Sequence, residues 1–217
     1  MLLAASLPRA SVDLSNLIQS MGPMMILPIR PQALFAALAT AAFFLFATAW
    51  ASGASAQVQV AVIGDSNVYG KGVATSENYP SKLEAALRAR GLDVRVSNGG
   101  INGDTSSGLA ARLDSAVPAG TRVAVIWVGV NDVVRHGRSI AEVQANVAGI
   151  ASRLRAKGIE SYVIRPPVYN VADHKNPALI LGGDNHFNGA GYSRMVAKTI
   201  GPIQALVVKA SKRKATS

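Results

Sequence analysis

From Gln57 onward the chain alternates between two kinds of patterning. Runs rich in apolar and β-branched residues, "VQVAVIG" (58–64), "DVRVSNGG" (93–100), "RVAVIWVGV" (122–130) and "ESYVIRPP" (160–167), read as four strands. Pro166 and Pro167 stop the last of them, because proline cannot donate to a strand ladder. Between the runs the spacing becomes helical. "NYPSKLEAALRARG" (78–91) closes on Gly91, "TSSGLAARLDSAV" (105–117) predicts a second helix, and "SIAEVQANVAGIASRLRAKG" (139–158) repeats apolar residues at Ile140, Val143, Val147, Ile150 and Leu154. Strands that are apolar on both faces and separated by helices need cover on both sides. The pattern therefore predicts an α/β sandwich around a parallel sheet.

In such sheets ligands bind beyond the carboxyl ends of the strands. The polar clusters fall there: Gly64-Asp65-Ser66-Asn67 after the first strand, Asn98 to Thr105 after the second, and Gly129-Val130-Asn131-Asp132 after the third. Ser66 reads locally as a helix N-cap, and its neighbours add a second reading as a nucleophile near amide N–H groups that stabilise an oxyanion. A serine nucleophile needs a base, and the chain offers only His136, His174 and His186. His186 is the leading candidate, since "GGDNHFNGAGY" (182–192) is a glycine-rich loop entering a C-terminal helix. Asn131 and Gly103 are either turn residues or oxyanion donors. Asp65 and Asp132 read as groups that set loop geometry.

"GDSN" (64–67), "NGGINGDT" (98–105), "GVND" (129–132) and "HFNGAGY" (186–192) resemble, in order and spacing, the four blocks of the SGNH (GDSL-type) hydrolase superfamily, and most of all its bacterial arylesterase and acyl-CoA thioesterase/lysophospholipase branch. The resemblance runs from Val58 to Pro167 and resumes at His186. It implies a three-layer α/β/α, flavodoxin-like fold with four to five parallel strands. It also implies Ser66 as nucleophile, His186 as general base, and Ser66 N–H, Gly103 N–H and the Asn131 side chain as oxyanion hole. No metal or organic cofactor is implied. The G-x-S-x-G elbow of ordinary α/β-hydrolases is absent, because Val68 stands two residues after the serine.

The sequence departs from the family at three points. The superfamily places an aspartate three residues before the histidine, whereas here position 183 is glycine and Asp184 stands two before His186. Asp184 either completes a triad through a rebuilt loop or leaves a Ser-His dyad. The segment between Pro167 and His186, "VYNVADHKNPALILGGDN" (168–185), shows no helical crossover, so the sheet is expected to be abbreviated near the C-terminus, with "ALIL" (178–181) as the candidate fifth strand. Asn67 replaces the family's usual leucine.

The ends suggest processing. Arg30 precedes the uncharged stretch "ALFAALATAAFFLFATAWA" (33–51), and Ala54-Ser55-Ala56 makes a small-x-small cleavage pattern, so residues 1–56 read as an N-terminal extension with a signal peptide cleaved after Ala56. The hydrolase domain is then 57–208, and "KASKRKATS" (209–217) a basic tail. A periplasmic or secreted protein follows, with an uncleaved membrane anchor as the alternative. With 217 residues and no cysteine, there is neither a disulfide framework nor a thiol nucleophile. The net charge of +10 lacks the aromatic interleaving of a nucleic-acid surface, its cations, Arg112 among them, being spread over helix faces and the tail. The membrane then enters only through the signal segment or surface charge.

The reading is an exported serine esterase or thioesterase acting on a small-molecule ester or thioester, lipid-derived ones included. The alternatives are a carbohydrate or cell-envelope O-deacetylase with the same machinery, and a binding protein that keeps the scaffold without catalysis.

Overall fold

The computed structural model describes residues 57–165 and 171–214. Four strands, β1 (Val58–Gly64), β2 (Val94–Gly100), β3 (Thr121–Trp127) and β4 (Glu160–Val163), form one sheet in the order β2-β1-β3-β4. All three pairings are parallel, with Ile63 opposite Gly99 on one side and Ile126 on the other. The continuous apolar runs belong to the two inner strands. Successive side chains point to opposite faces, and in β1 both sets are buried.

On one face Val58, Val60, Val62, Val123 and Val125 pack against α2 (Tyr79–Arg88) and the long α8 (Gly189–Lys214) through Leu83, Leu87, Met195 and Ile203. On the other, Ala61, Ile63, Ala124 and Ile126 meet α3 (Ser106–Ala111), α4 (Leu113–Ala116) and α6 (Ile140–Ala156) through Leu109, Leu113, Ile150 and Leu154. Each buried aliphatic side chain contributes about 1.5–3 kcal/mol relative to exposure. The two layers therefore fix the sheet from both sides, as expected for a three-layer α/β/α fold. Short helices α1 (Ser66–Tyr69), α5 (Val130–His136) and α7 (Val171–His174) occupy the connections. A capping box starts α6: Glu142 N donates to Ser139 Oγ at 3.2 Å, and Ser139 N donates to Glu142 Oε2 at 2.8 Å.

Three sequence expectations change. The helix predicted over 105–117 breaks at Arg112 (φ −99°, ψ 14°) into α3 and α4. "ALIL" forms no strand: Ile180 makes a single antiparallel bridge to Phe187, and the neighbouring backbone bonds to the histidine loop, with Leu181 N donating to His186 O and Asn188 N to Leu179 O. Among the described residues the sheet has four strands, because the segment's hydrogen bonds are taken by that loop. Finally, the stretch expected as a tail from 209 continues α8 to Lys214, with Lys209 Nζ and Arg213 Nη1 bonding Glu160 Oε1 at 2.7 and 3.3 Å.

The expected signal segment and its cleavage site lie outside the described residues. Among the described residues, no helix is long and apolar enough to cross a membrane.

Candidate active site

Strand β1 ends where it presses on its neighbour. A Cβ at Gly64 would lie 1.8 Å from the Trp127 carbonyl oxygen, so only glycine permits β1 and β3 to approach this closely as the chain leaves the sheet. Asp65 then caps α1, its Oδ1 accepting the Asn67 amide N–H at 2.9 Å and the Asn67 side-chain Nδ2 at 3.2 Å. The capping residue is thus Asp65 rather than Ser66. Burial pushes the Asp65 carboxyl up to about 6, against the opposing pull of the Asn67 hydrogen bonds. Its Oδ2 is buried without a hydrogen-bond partner among the described residues. Asn67 thus replaces the family's leucine with polar contacts to Asp65.

Relieved of capping, the Ser66 hydroxyl faces the histidine loop. Its Oγ stands 2.8 Å from His186 Nε2, with the residue only 6% exposed. On the far side of the ring, His186 Nδ1 meets Asp184 Oδ1, and the remaining carboxylate oxygen, Oδ2, accepts from Lys71 Nζ at 3.0 Å. The two-residue spacing closes because the loop folds back on itself: Asp184 N donates to Leu181 O at 3.2 Å and Leu181 N to His186 O at 2.9 Å. Hydrogen bonding from His186, and then from Lys71, holds the Asp184 carboxyl down at about 2, so it is a carboxylate at neutral pH. Asp184 is thus in contact with His186 despite the two-residue spacing. The other two histidines are placed differently. His136 is exposed in the last turn of α5, and His174 packs edge-on against Phe187 at 4.1 Å, its pKa lowered mainly by burial.

Asn131 is buried in the first turn of α5, and its Nδ2 donates to the Asp104 carbonyl oxygen at 2.9 Å. That carbonyl belongs to the residue after Gly103, so the two candidate oxyanion donors sit on linked segments. One N–H of the Asn131 amide is used in this way; an amide nitrogen carries two. Asp132, wholly buried, accepts from Ser106 N at 2.8 Å and Ser106 Oγ at 2.6 Å, and Asn146 Nδ2 donates to the same hydroxyl at 2.9 Å. Asp132 thereby ties α5 to α3 and α6, the structural role the sequence suggested.

Arg112 does not belong to the solvated helix faces. Its Nε and Nη2 bond Asp104 Oδ2 at 2.8 and 2.7 Å, and Nη2 also reaches the carbonyl oxygens of Gly64 and Gly99 at 3.1 and 3.0 Å. One guanidinium therefore holds the ends of β1 and β2 to the loop that carries Gly103. The break between α3 and α4 places it there. Asp104, Arg112, Lys71 and Ser106 are the site residues that sequence reasoning passed over. Charge type alone did not distinguish Arg112 and Lys71 from surface cations, although the position of Lys71 five residues after the serine was visible.

Together these groups bring a buried hydroxyl within hydrogen-bond distance of a ring nitrogen and a carboxylate against the other nitrogen of the same ring. Among the described residues, no three His, Asp or Glu side chains come together as metal ligands would.

Comparison with known proteins gives a consistent result. The GDSL-like lipase/acylhydrolase family model matches residues 62–179. Esterase TesA of Pseudomonas aeruginosa is 37% identical over 115 residues, covering 50% of this chain and 55% of that protein. An arylesterase of Vibrio mimicus is 31% identical over 118 residues, covering 52% and 58%. The chain thus spans a little over half the length of these curated relatives. A crystal structure of TesA superposes with a TM-score of 0.61 at 26% identity, covering 68% of this chain and 99% of that one. A psychrotrophic esterase EstA from Pseudoalteromonas, 18% identical with a TM-score of 0.58, shares the fold and covers 68% of this chain and 97% of its own.

Proposed function

Because the chain belongs to the GDSL-like lipase/acylhydrolase family, we propose that it is a serine ester hydrolase in which Ser66 is the nucleophile. The observation that carries this reading is the unbroken line Ser66 Oγ, His186 Nε2, His186 Nδ1, Asp184 Oδ1. Ser66 Oγ attacks the carbonyl carbon of an ester or thioester while His186 Nε2 takes the hydroxyl proton, and Asp184 stabilises the imidazolium that forms. The tetrahedral oxyanion is held by Ser66 N–H, Gly103 N–H and Asn131 Nδ2. The C–O or C–S bond then breaks, the alcohol or thiol leaving with the proton from His186. Water, deprotonated by the same ring, attacks the acyl-serine and releases the acid with Ser66 restored.

The surroundings favour an apolar acid or aryl group. The exposed large apolar side chains among the described residues are Tyr69, Ile101, Val130, Val133, Val134 and Ile140. All of them lie in segments that follow β1, β2 and β3, on the sheet edge that carries Ser66. A rim of this kind suits an acyl chain or aromatic ester better than an acetylated sugar, and the names of the two relatives, esterase and arylesterase, support the same class. The sequence of residues 33–56 supports export, so the substrate would be met outside the cytoplasm.

The test is hydrolysis of p-nitrophenyl esters from acetate to octanoate by the purified protein beside Ser66→Ala, with acetylated xylo-oligosaccharides in parallel. Ser66-dependent turnover that favours the p-nitrophenyl esters is expected. Equal rates for the two proteins would overturn the reading, and preference for the acetylated sugar would replace it with the deacetylase. A fluorophosphonate probe that fails to label Ser66 in folded protein would favour the non-catalytic scaffold. Cell fractionation tests export.

A further inference from the structure

Asp184 uses its two oxygens in different directions, one toward His186 and the other toward Lys71. Lys71 is no chance neighbour of this pair. It stands just past Gly70, which caps the end of α1, and the amides of Gly70 and Lys71 both donate to the Ser66 carbonyl oxygen, at 3.0 and 3.2 Å. The backbone of Lys71 therefore hangs from the same residue whose hydroxyl faces His186. A ring of contacts closes: Ser66 main chain, Lys71, Asp184, His186 and back to the Ser66 side chain.

The loop that holds Asp184 needs such a tie. Gly182 and Gly183 precede it, the latter at φ +76°, and glycine loses more backbone freedom on ordering than any other residue. With only Asn185 between acid and histidine, the carboxylate reaches the ring from a tight turn. A cation on the outer oxygen limits rotation of the carboxylate and keeps Oδ1 facing Nδ1. The turn beyond Lys71 also touches this loop, since a Cβ on Gly72 would lie 2.3 Å from Leu181 Cδ1.

We propose that Lys71 is a positioning residue that links the nucleophile's own turn to Asp184 and so holds the carboxylate, and through it the His186 ring, in line with Ser66. This rests on the hydrolase reading above and deepens it. Lys71 is 44% exposed and Asp184 35%, so the pair is partly screened by solvent and its contribution is expected to be modest.

The test measures kcat and KM on p-nitrophenyl butyrate for the full chain, Lys71→Met, Lys71→Arg, Asp184→Asn and the double variant Lys71→Met/Asp184→Asn. The rate of fluorophosphonate labelling of Ser66 replaces turnover where the latter is too slow. Lys71→Met is expected to lower kcat about three- to fivefold, the upper part of the scale of a partly exposed ion pair, with KM within about twofold. Lys71→Arg should recover most of that loss, and the double variant should match Asp184→Asn within about twofold, because the lysine acts through the carboxylate. Wild-type kcat in Lys71→Met would overturn the proposal, as would an equal loss in Lys71→Arg. A change confined to KM would place Lys71 on the substrate instead, and a three- to fivefold loss persisting in the Asp184→Asn background would show that it does not act through Asp184. Lack of Ser66-dependent hydrolysis in the unmutated protein is a different result: it overturns the hydrolase reading, and the role of Lys71 with it.

Discussion

Asn131 Nδ2 donates to the main-chain oxygen of Asp104 at 2.9 Å, joining the helix after β3 to the loop after β2. One side chain thereby fixes the peptide next to Gly103 and places its own amide in the same region. Its loss should remove a donor and loosen a second one.

Asn131→Ala is accordingly expected to lower kcat by about 10²–10³-fold, the usual cost of one oxyanion donor. KM should change far less, because the donor acts on charge that develops in the transition state. Steady-state kinetics on p-nitrophenyl butyrate check this, with the thermal midpoint as a control. A kcat within about threefold of the unmutated protein would remove Asn131 from the oxyanion hole.

The carboxylate of Asp184 is predicted to stay ionised throughout the working range. Its folded pKa is depressed to about 2, so its interaction with His186 is present at pH values above the unfolded carboxyl range and is lost only as pH falls toward 2. A fall in activity between pH 7 and 4 must therefore report a group other than Asp184. Asp184→Asn should reduce kcat by about 10³–10⁴-fold, on the scale seen when an orienting aspartate is neutralised. A kcat within tenfold of the unmutated protein would instead indicate that a Ser66-His186 dyad suffices.

Arg112 joins three acceptors: Asp104 Oδ2 and the carbonyl oxygens of Gly64 and Gly99. Arg112→Met keeps the apolar stem but leaves the half-buried Asp104 carboxylate without its counter-charge, which is expected to cost about 2–4 kcal/mol of stability. Arg112→Lys should recover only part of that, since an ammonium lacks the planar fork. Urea unfolding measures both, and a loss below about 0.5 kcal/mol in Arg112→Met would show that the contacts contribute nothing net.

The same arginine shows where sequence reading stops. β1 and β3 were legible because the inner strands of a parallel sheet are buried on both faces, which writes their burial directly into unbroken apolar runs. Ser66, Gly103, Asn131 and His186 were legible as candidates because they sit at strand ends or in a glycine-rich loop. Arg112 was not, because a helical pattern over 105–117 places it on an outer face, and only the break between α3 and α4 turns it inward. The link from Asp184 to His186 depends on the turn adopted by Gly182 and Gly183, and residue spacing does not specify that turn. "ALIL" has the composition of a strand, yet its backbone partners come from the histidine loop, a competition visible only in three dimensions.

Asp65 should make stability depend on pH in the opposite sense to Asp184. Burial raises its folded pKa to about 6 from the model-peptide value of 3.8. Below the unfolded value both states hold the proton, and the folded state carries no penalty. As pH rises toward 6 the unfolded chain releases its proton while the folded one retains it, so stability falls across this window and levels off above it. At about 1.4 kcal/mol per pH decade, the loss is at most of order 3 kcal/mol. Asp65→Asn keeps an oxygen to cap Asn67 N and cannot ionise. Relative to the unmutated protein it should therefore gain stability as pH is raised from 4 to 6, with the difference constant above about pH 7. Urea unfolding at pH 4, 5, 6 and 7 checks this, and a difference between the two proteins that does not change over that range would show that Asp65 does not titrate there.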